Sequence, residues 1–146
     1  MRMILLAVLL ALAGCKAERR QLGQALSGKP PVLAGSLVGR WIVADLNGGG
    51  RIEAASLEFA AGSIAGSSGC NRLSGSWRQD GAALAIAPLA STRMACAPAV
   101  MVVEQRLLAT LAAVQTVVFD DRGNPTLISP DGRRVRLIPA LPEPVQ

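Results

Sequence analysis

The chain has 146 residues, 51% of them hydrophobic, and a formal charge of +5. That length suits one domain with one filled core. The lack of histidine and tyrosine removes Ser-His-Asp, Cys-His and histidine-bearing zinc chemistry. Lys16 and Lys29 are the only lysines, so the body of the chain has none for a Schiff base or a Ser-Lys dyad. A pair of carboxylates is the one familiar catalytic device left, and Asp45, Glu53, Glu58, Asp80 and Glu104 form no recognisable pair by spacing. The chain therefore reads as a non-enzyme with no metal and no cofactor.

The N-terminus sets the compartment. A short basic start, Met1-Arg2-Met3, precedes the aliphatic run Ile4 to Ala13, which is too short to span a bilayer and has the form of a signal-peptide core. It ends in Leu12-Ala13-Gly14-Cys15, which resembles the lipobox of bacterial lipoproteins. The resemblance implies cleavage before Cys15, a diacylglycerol on its sulfur and an acyl group, such as palmitate, on its new amino group. Two or more acyl chains make a stable anchor, since each buried methylene adds about 0.8 kcal/mol. Lys16 rather than aspartate follows the cysteine. Under the sorting rule of Gram-negative lipoproteins this implies the outer membrane, with the protein facing the periplasm.

Residues 1–14 are thus read as a lipoprotein signal peptide and 15–36 as the lipidated cysteine and a flexible tether, broken by Pro30-Pro31. The folded body is expected over 37–139. It opens with the strand-like Arg40 to Leu46 and the turn Asn47-Gly48-Gly49-Gly50. Leu57 to Phe59 and Ser63 to Gly66 are short strand candidates. From Leu73 the alternation is clear, with Leu73, Gly75 and Trp77 on one face and Ser74, Ser76 and Arg78 on the other. Asp80-Gly81 marks a hairpin, and Leu84 and Ile86 resume the inward face. A helix begins near Pro98, with Val100, Val103, Leu107, Leu108, Leu111 and Val114 at helical spacing. Strands follow at Thr116 to Phe119, Thr126 to Ser129 and Arg133 to Ile138, and residues 140–146 form a Pro-rich tail. Several antiparallel strands, one helix and more strands predict an α+β fold: a meandering antiparallel sheet with the helix packed on its apolar face.

Four features of the body invite a chemical reading. Cys70 and Cys96 fit a structural disulfide in an oxidising compartment; two free buried thiols or a redox pair are the alternatives, the latter against the usual close spacing of redox cysteines. Glu104 falls inside the apolar stripe of the helix, where an unpaired carboxylate is costly. Arg72 and Arg93, beside the two cysteines, are its natural ion-pair partners; a solvated edge position and a ligand pocket are the alternatives. Arg133, Arg134 and Arg136 read as a solvated sheet face or a contact for anionic head groups or an acidic partner, not nucleic acid. Asp120, Asp121 and Asn124 lack the spacing of a calcium loop and read as a turn.

Gly69-Cys70-Asn71-Arg72 with Ser74-Gly75, then Thr92-Arg93-Met94-Ala95-Cys96, then Glu104 ahead of Leu108 and Leu111, closely resembles the META domain of the HslJ family, and Gly39-Arg40-Trp41 fits that family's early tryptophan. The resemblance covers about residues 37–138. It implies a small α+β domain of bacterial envelope proteins, often lipoproteins, with heat-inducible members and a fold likened to the lipoprotein pilots of secretins. It implies no established activity or ligand. It singles out Asn71, Arg72, Thr92, Arg93 and Glu104 as structural or binding positions. The expectation is a monomeric lipoprotein with a binding or envelope-stress role, or else an inhibitor or pilot-like module that engages another envelope protein or a lipid through a sheet edge or groove.

Overall fold

A computed structural model describes residues 35–141. The signal peptide read at 1–14, the lipidation site Cys15, all but the last two residues of the tether and most of the tail lie outside the described residues. The described residues form nine strands, β1 (Gly39–Leu46), β2 (Ala55–Ala60), β3 (Ser63–Ser68), β4 (Arg72–Asp80), β5 (Ala83–Ile86), β6 (Ala90–Ser91), β7 (Thr116–Phe119), β8 (Pro125–Ile128) and β9 (Arg134–Pro139), and one helix, α1 (Pro98–Ala113), between β6 and β7.

The sheet is not the open meander expected from the sequence. Its order is β3-β2-β1-β9-β8-β7-β5-β4, and β4 pairs back onto β3, so eight antiparallel strands close into a barrel. The short β6 is an extra pairing on β4. Two long-range pairings make the closure. The last strand returns to the first, with Leu46 opposite Val135 and Ile42 opposite Ile138. The seam between β5 and β7 is narrow, with Ala83 opposite Thr116 and flanking bonds from Leu84 N to Gln115 O and from Val117 N to Ala82 O. Alternation along one strand reports which side faces the core. It carries no information on whether the sheet's edges meet.

An eight-stranded barrel is just wide enough for its own side chains to fill. Val43, Leu57, Ile64, Leu127, Val135 and Leu137, each at most 1% exposed, do so here. Phe59 and Trp77 meet edge to face at 5.0 Å, and the Trp77 indole donates to the carbonyls of Ala60 and Ser63. One end is plugged by Leu37, fully buried, whose carbonyl accepts from Trp41 Nε1 at 2.7 Å. Gln79 secures the same segment, donating to Gly35 O and accepting from Leu37 N.

The helix closes the other end. It touches β3, β5 and β9, strands spread around the ring, so it crosses the barrel mouth instead of lying across the apolar face of an open sheet as expected. Leu107 and Leu111 are fully buried beneath it, and Val114 is buried just past its end. Pro98 stands in the first turn as the sequence indicates, where its missing N–H costs nothing. Val100 shares the angular position of the buried stripe yet is 38% exposed, because the first turns of α1 overhang the barrel rim.

Gly66 permits the tight coiling of β2 on β3: a Cβ there would stand 2.1 Å from the Ser56 carbonyl oxygen. Gly66→Ala is therefore expected to destabilise the domain by about 1–3 kcal/mol through forced backbone displacement. Thermal unfolding followed by circular dichroism checks this, and an unchanged midpoint would mean that β2 can move aside.

Candidate functional site

The residues singled out by the sequence converge at the helix end of the barrel. Ser68 ends β3, Asn71 lies in the turn to β4, the segment after β6 carries Thr92 to Met94, and the second turn of α1 carries Glu104. Ser68, Asn71 and Glu104 are 0%, 1% and 5% exposed. Glu104 Oε1 accepts from Asn71 Nδ2 at 2.8 Å. Its Oε2 accepts from the Ser68 hydroxyl at 2.5 Å and from the Asn71 backbone N–H at 3.1 Å. The other end of the Asn71 amide accepts from Thr92 Oγ1 at 2.9 Å and from the Met94 N–H at 2.7 Å. Thr92 Oγ1 accepts from Arg72 N at 3.0 Å. Among the described residues no buried side-chain polar atom is left without a partner.

The expected ion pair is absent. Arg72 and Arg93 are exposed, and the ion pairs among the described residues are Arg40–Glu58 and Arg133–Asp131. Burial pushes the Glu104 carboxyl up, but hydrogen bonds from Ser68 and from the Asn71 side chain and backbone outweigh it and hold the group below the usual carboxylate range. Three neutral donors thus do what a guanidinium was expected to do, without burying a second charge.

Cys70 and Cys96 are joined in a disulfide, with Cα atoms 6.3 Å apart. It bridges the β3–β4 turn to the residue two before α1, beside the hydrogen-bonded cluster. Closing that loop contributes about 3–4 kcal/mol on the chain-entropy account.

Two hollows flank the overhanging half of α1. One, of about 600 Å³, is bordered by Asn71, Arg93, Met94, Met101, Glu104 and Leu108, so the cluster forms part of its wall. The other, of about 620 Å³, is a groove between α1 and the loop from β1 to β2. Its apolar walls are Leu46, Ile52, Ala99, Val100 and Val103, and the exposed Arg51, Glu53 and Arg106 stand along it. The loop is held in place by Asp45, which accepts from Gly48 N and Gly50 N at 2.8 and 2.9 Å. The Gly48 amide first of all, then that of Gly50 and the charges of Arg136 and Arg134, keep the Asp45 carboxyl low against its desolvation. Asn47, at φ 55°, ties the loop to β9 by accepting from Arg134 N at 2.7 Å and to α1 through Thr110.

Sequence reasoning missed the groove and Ser68. The signal for Ser68 was present: Ile64, Gly66 and Ser68 share one face of β3, so a serine falls at an inward position and needs a buried partner. The groove had no such signal, because its two walls lie about fifty residues apart. Glu104 is the only buried acid among the described residues, and none of those residues form a metal-binding group of three His, Cys, Asp or Glu side chains.

Two outcomes test the cluster. Glu104→Ala strips the buried Asn71 side-chain amide of its acceptor, leaves the Ser68 hydroxyl only the Asn71 carbonyl, and is expected to cost about 2–4 kcal/mol, whereas Glu58→Ala, which breaks an exposed pair, costs less than about 1 kcal/mol; equal midpoints in urea would remove the cluster's structural role. The second outcome concerns acid. The folded-state pKa of Glu104 lies below its unfolded value, so its stabilisation is present above the ordinary carboxyl range and is lost as pH falls through the folded value. Glu104→Gln should therefore lose less stability than the parent between neutral and strongly acid pH, measured by urea unfolding at each pH; the remaining acid sensitivity belongs to Asp45, Asp120 and Asp131, whose carboxyls are also held low.

Comparison with known proteins agrees with this architecture. A protein from Burkholderia xenovorans solved by NMR is similar in fold, with a TM-score of 0.58 and 21% identity over 71% of this chain and 83% of that one. A crystal structure of a DUF4847 family protein from Bacteroides vulgatus ATCC 8482 is similar at a TM-score of 0.53 and 14% identity, covering 72% of this chain and 94% of its own. No curated protein matches the chain. The META domain profile matches residues 35–141, the whole span of the barrel, its helix and the Ser68–Asn71–Glu104 cluster, so this chain belongs to the META domain family.

Proposed function

We propose that this chain is an exported lipoprotein, anchored to the outer membrane through Cys15 and facing the periplasm, whose META domain binds an amphiphile with an acyl chain and an anionic end. META domains are often found in envelope-associated proteins, and the lipobox-like Leu12-Ala13-Gly14-Cys15 supports the location. The observation that carries the binding role is the groove of about 620 Å³ beside α1, a volume in the range of small-molecule sites. Its walls suit a hydrocarbon chain. Arg51 and Arg106 outnumber Glu53 along it, which suits a carboxylate or phosphate at the ligand's end. An envelope-stress role fits a module that senses loose lipid, and the heat-inducible members of the family point the same way.

The barrel's closure weighs against the rival mode, in which a partner adds a strand to an open sheet edge. The strands of the ring are paired on both sides, and the unpaired edge of β6 is two residues long.

The test is direct. The full chain should bind an environment-sensitive fluorescent fatty acid, and Ala99→Trp, which fills the groove from an exposed position, should weaken that binding by about tenfold without moving the melting temperature. Equal affinity in parent and variant would sink the groove as the site.

A further inference from the structure

The overhanging end of α1 carries a second feature, which shares Ala99, Val100 and Val103 with the groove and extends past it. From Met94 to Val103 the chain has ten consecutive residues without a charge or a polar side chain: Met, Ala, Cys, Ala, Pro, Ala, Val, Met, Val and Val. None of the ten is buried. Three of the five exposed large hydrophobics among the described residues, Met94 at 60%, Val100 at 38% and Val102 at 46%, fall in this run, so the exposed apolar surface is gathered at one place. Exposed apolar side chains concentrated in one segment of this kind mark a contact with another phase or partner.

The surroundings are basic. Arg51 and Arg106 stand along the groove on one side of the helix, and Arg93 lines the hollow on the other, next to Arg72, whose carbonyl accepts from Thr92 N at 3.0 Å. All four are exposed, and none is in an ion pair among the described residues. Glu53 is the one exposed acid that lines either hollow, since Glu104 is occupied by Ser68 and Asn71. An apolar ridge a turn or two long, edged by four arginines against one acid, is complementary to a bilayer with anionic head groups. The valines and methionines reach the acyl boundary while the arginines keep their charges at phosphate level.

We propose that the ridge Met94–Val103, with Arg51, Arg72, Arg93 and Arg106, is a docking face for an anionic bilayer surface. It seats the barrel with its helix end against lipid. The disulfide and the Glu104 cluster make the ridge a rigid wedge, since they fix both the segment before α1 and its second turn to the β3–β4 turn. The inference rests on the envelope location proposed above. It does not rest on the groove's ligand.

The experiment reads position instead of overall binding, so an N-terminal anchor cannot produce the result by itself. The full chain carrying Val102→Trp is mixed with vesicles of phosphatidylglycerol and phosphatidylcholine in equal parts, with brominated acyl chains as quenchers. The control is Asp121→Trp, in the exposed turn at the opposite end of the barrel. With the emission of Trp41 and Trp77, measured on the parent chain, subtracted, Val102→Trp fluorescence should fall by about twofold while the control changes little, and raised ionic strength or Arg93→Ser with Arg72→Ser should reduce the difference. Equal quenching of the two tryptophans overturns the proposal. So does protection of Val102→Trp by self-association without lipid, because the ridge would then be a contact between copies. The fatty-acid assay with Ala99→Trp is separate, so failure of either reading leaves the other readable.

Discussion

A dry carboxylate with no cation beside it holds the working end of this molecule together. Glu104 sits on the inward side of α1, where aliphatic residues would otherwise pack, and its charge is stabilised by a serine hydroxyl, an asparagine amide and a backbone N–H. Each donor comes from the end of β3 or the turn that follows it. The turn must therefore adopt one shape, and the helix one rotation, before the charge can be dehydrated without loss. An aliphatic residue at this position would stabilise the core without dictating the fit. The carboxylate converts packing into registration: a helix rotated or slid by one residue would strand a buried charge. Asn71 extends the constraint outward, because its carbonyl oxygen takes the Thr92 hydroxyl and the Met94 amide and so fixes the chain that leads into the helix.

This arrangement also explains why the arginines lie on the surface. Had Arg72 or Arg93 satisfied Glu104, a guanidinium would have been dehydrated together with its carboxylate. With neutral donors in that place, both side chains remain in solvent at the rim. The positive charge of the helix end is thus available to whatever meets it. The same economy is seen at Asp45, where backbone amides of Gly48 and Gly50 take the carboxylate and leave Arg134 and Arg136 on the outer face of β9.

Much of the local structure was legible from residues alone. The start of the helix at Pro98, the strand Thr116–Phe119, the inward alternation of Leu73 and the outward placing of Arg134 and Arg136 all follow from period and turn chemistry. The burial of Glu104 followed from its angle on the helix. What did not follow was long-range. The return of β9 to β1 and the joining of β5 to β7 depend on strand twist summed around eight strands, and single-strand patterns do not encode that sum. The partner of Glu104 was misassigned for a related reason. Arginine is the strongest donor nearby in sequence, but the competing donors, Ser68 and Asn71, are arranged only once the β3–β4 turn has formed. The position of Val100 failed differently, since its helical angle is inward but no barrel wall lies beneath it.

The narrow join of β5 to β7 has a mechanical meaning for the whole ring. The broad β1–β9 pairing runs over five registered residues, whereas β5 and β7 share one. That join is also where the chain comes down from α1 through Val114 and Gln115. A cylinder with one thin suture parts along the suture first. Local opening of the ring is therefore expected to begin at this flank, beside the C-terminal end of α1, while the disulfide still moors the far end of α1 to its turn.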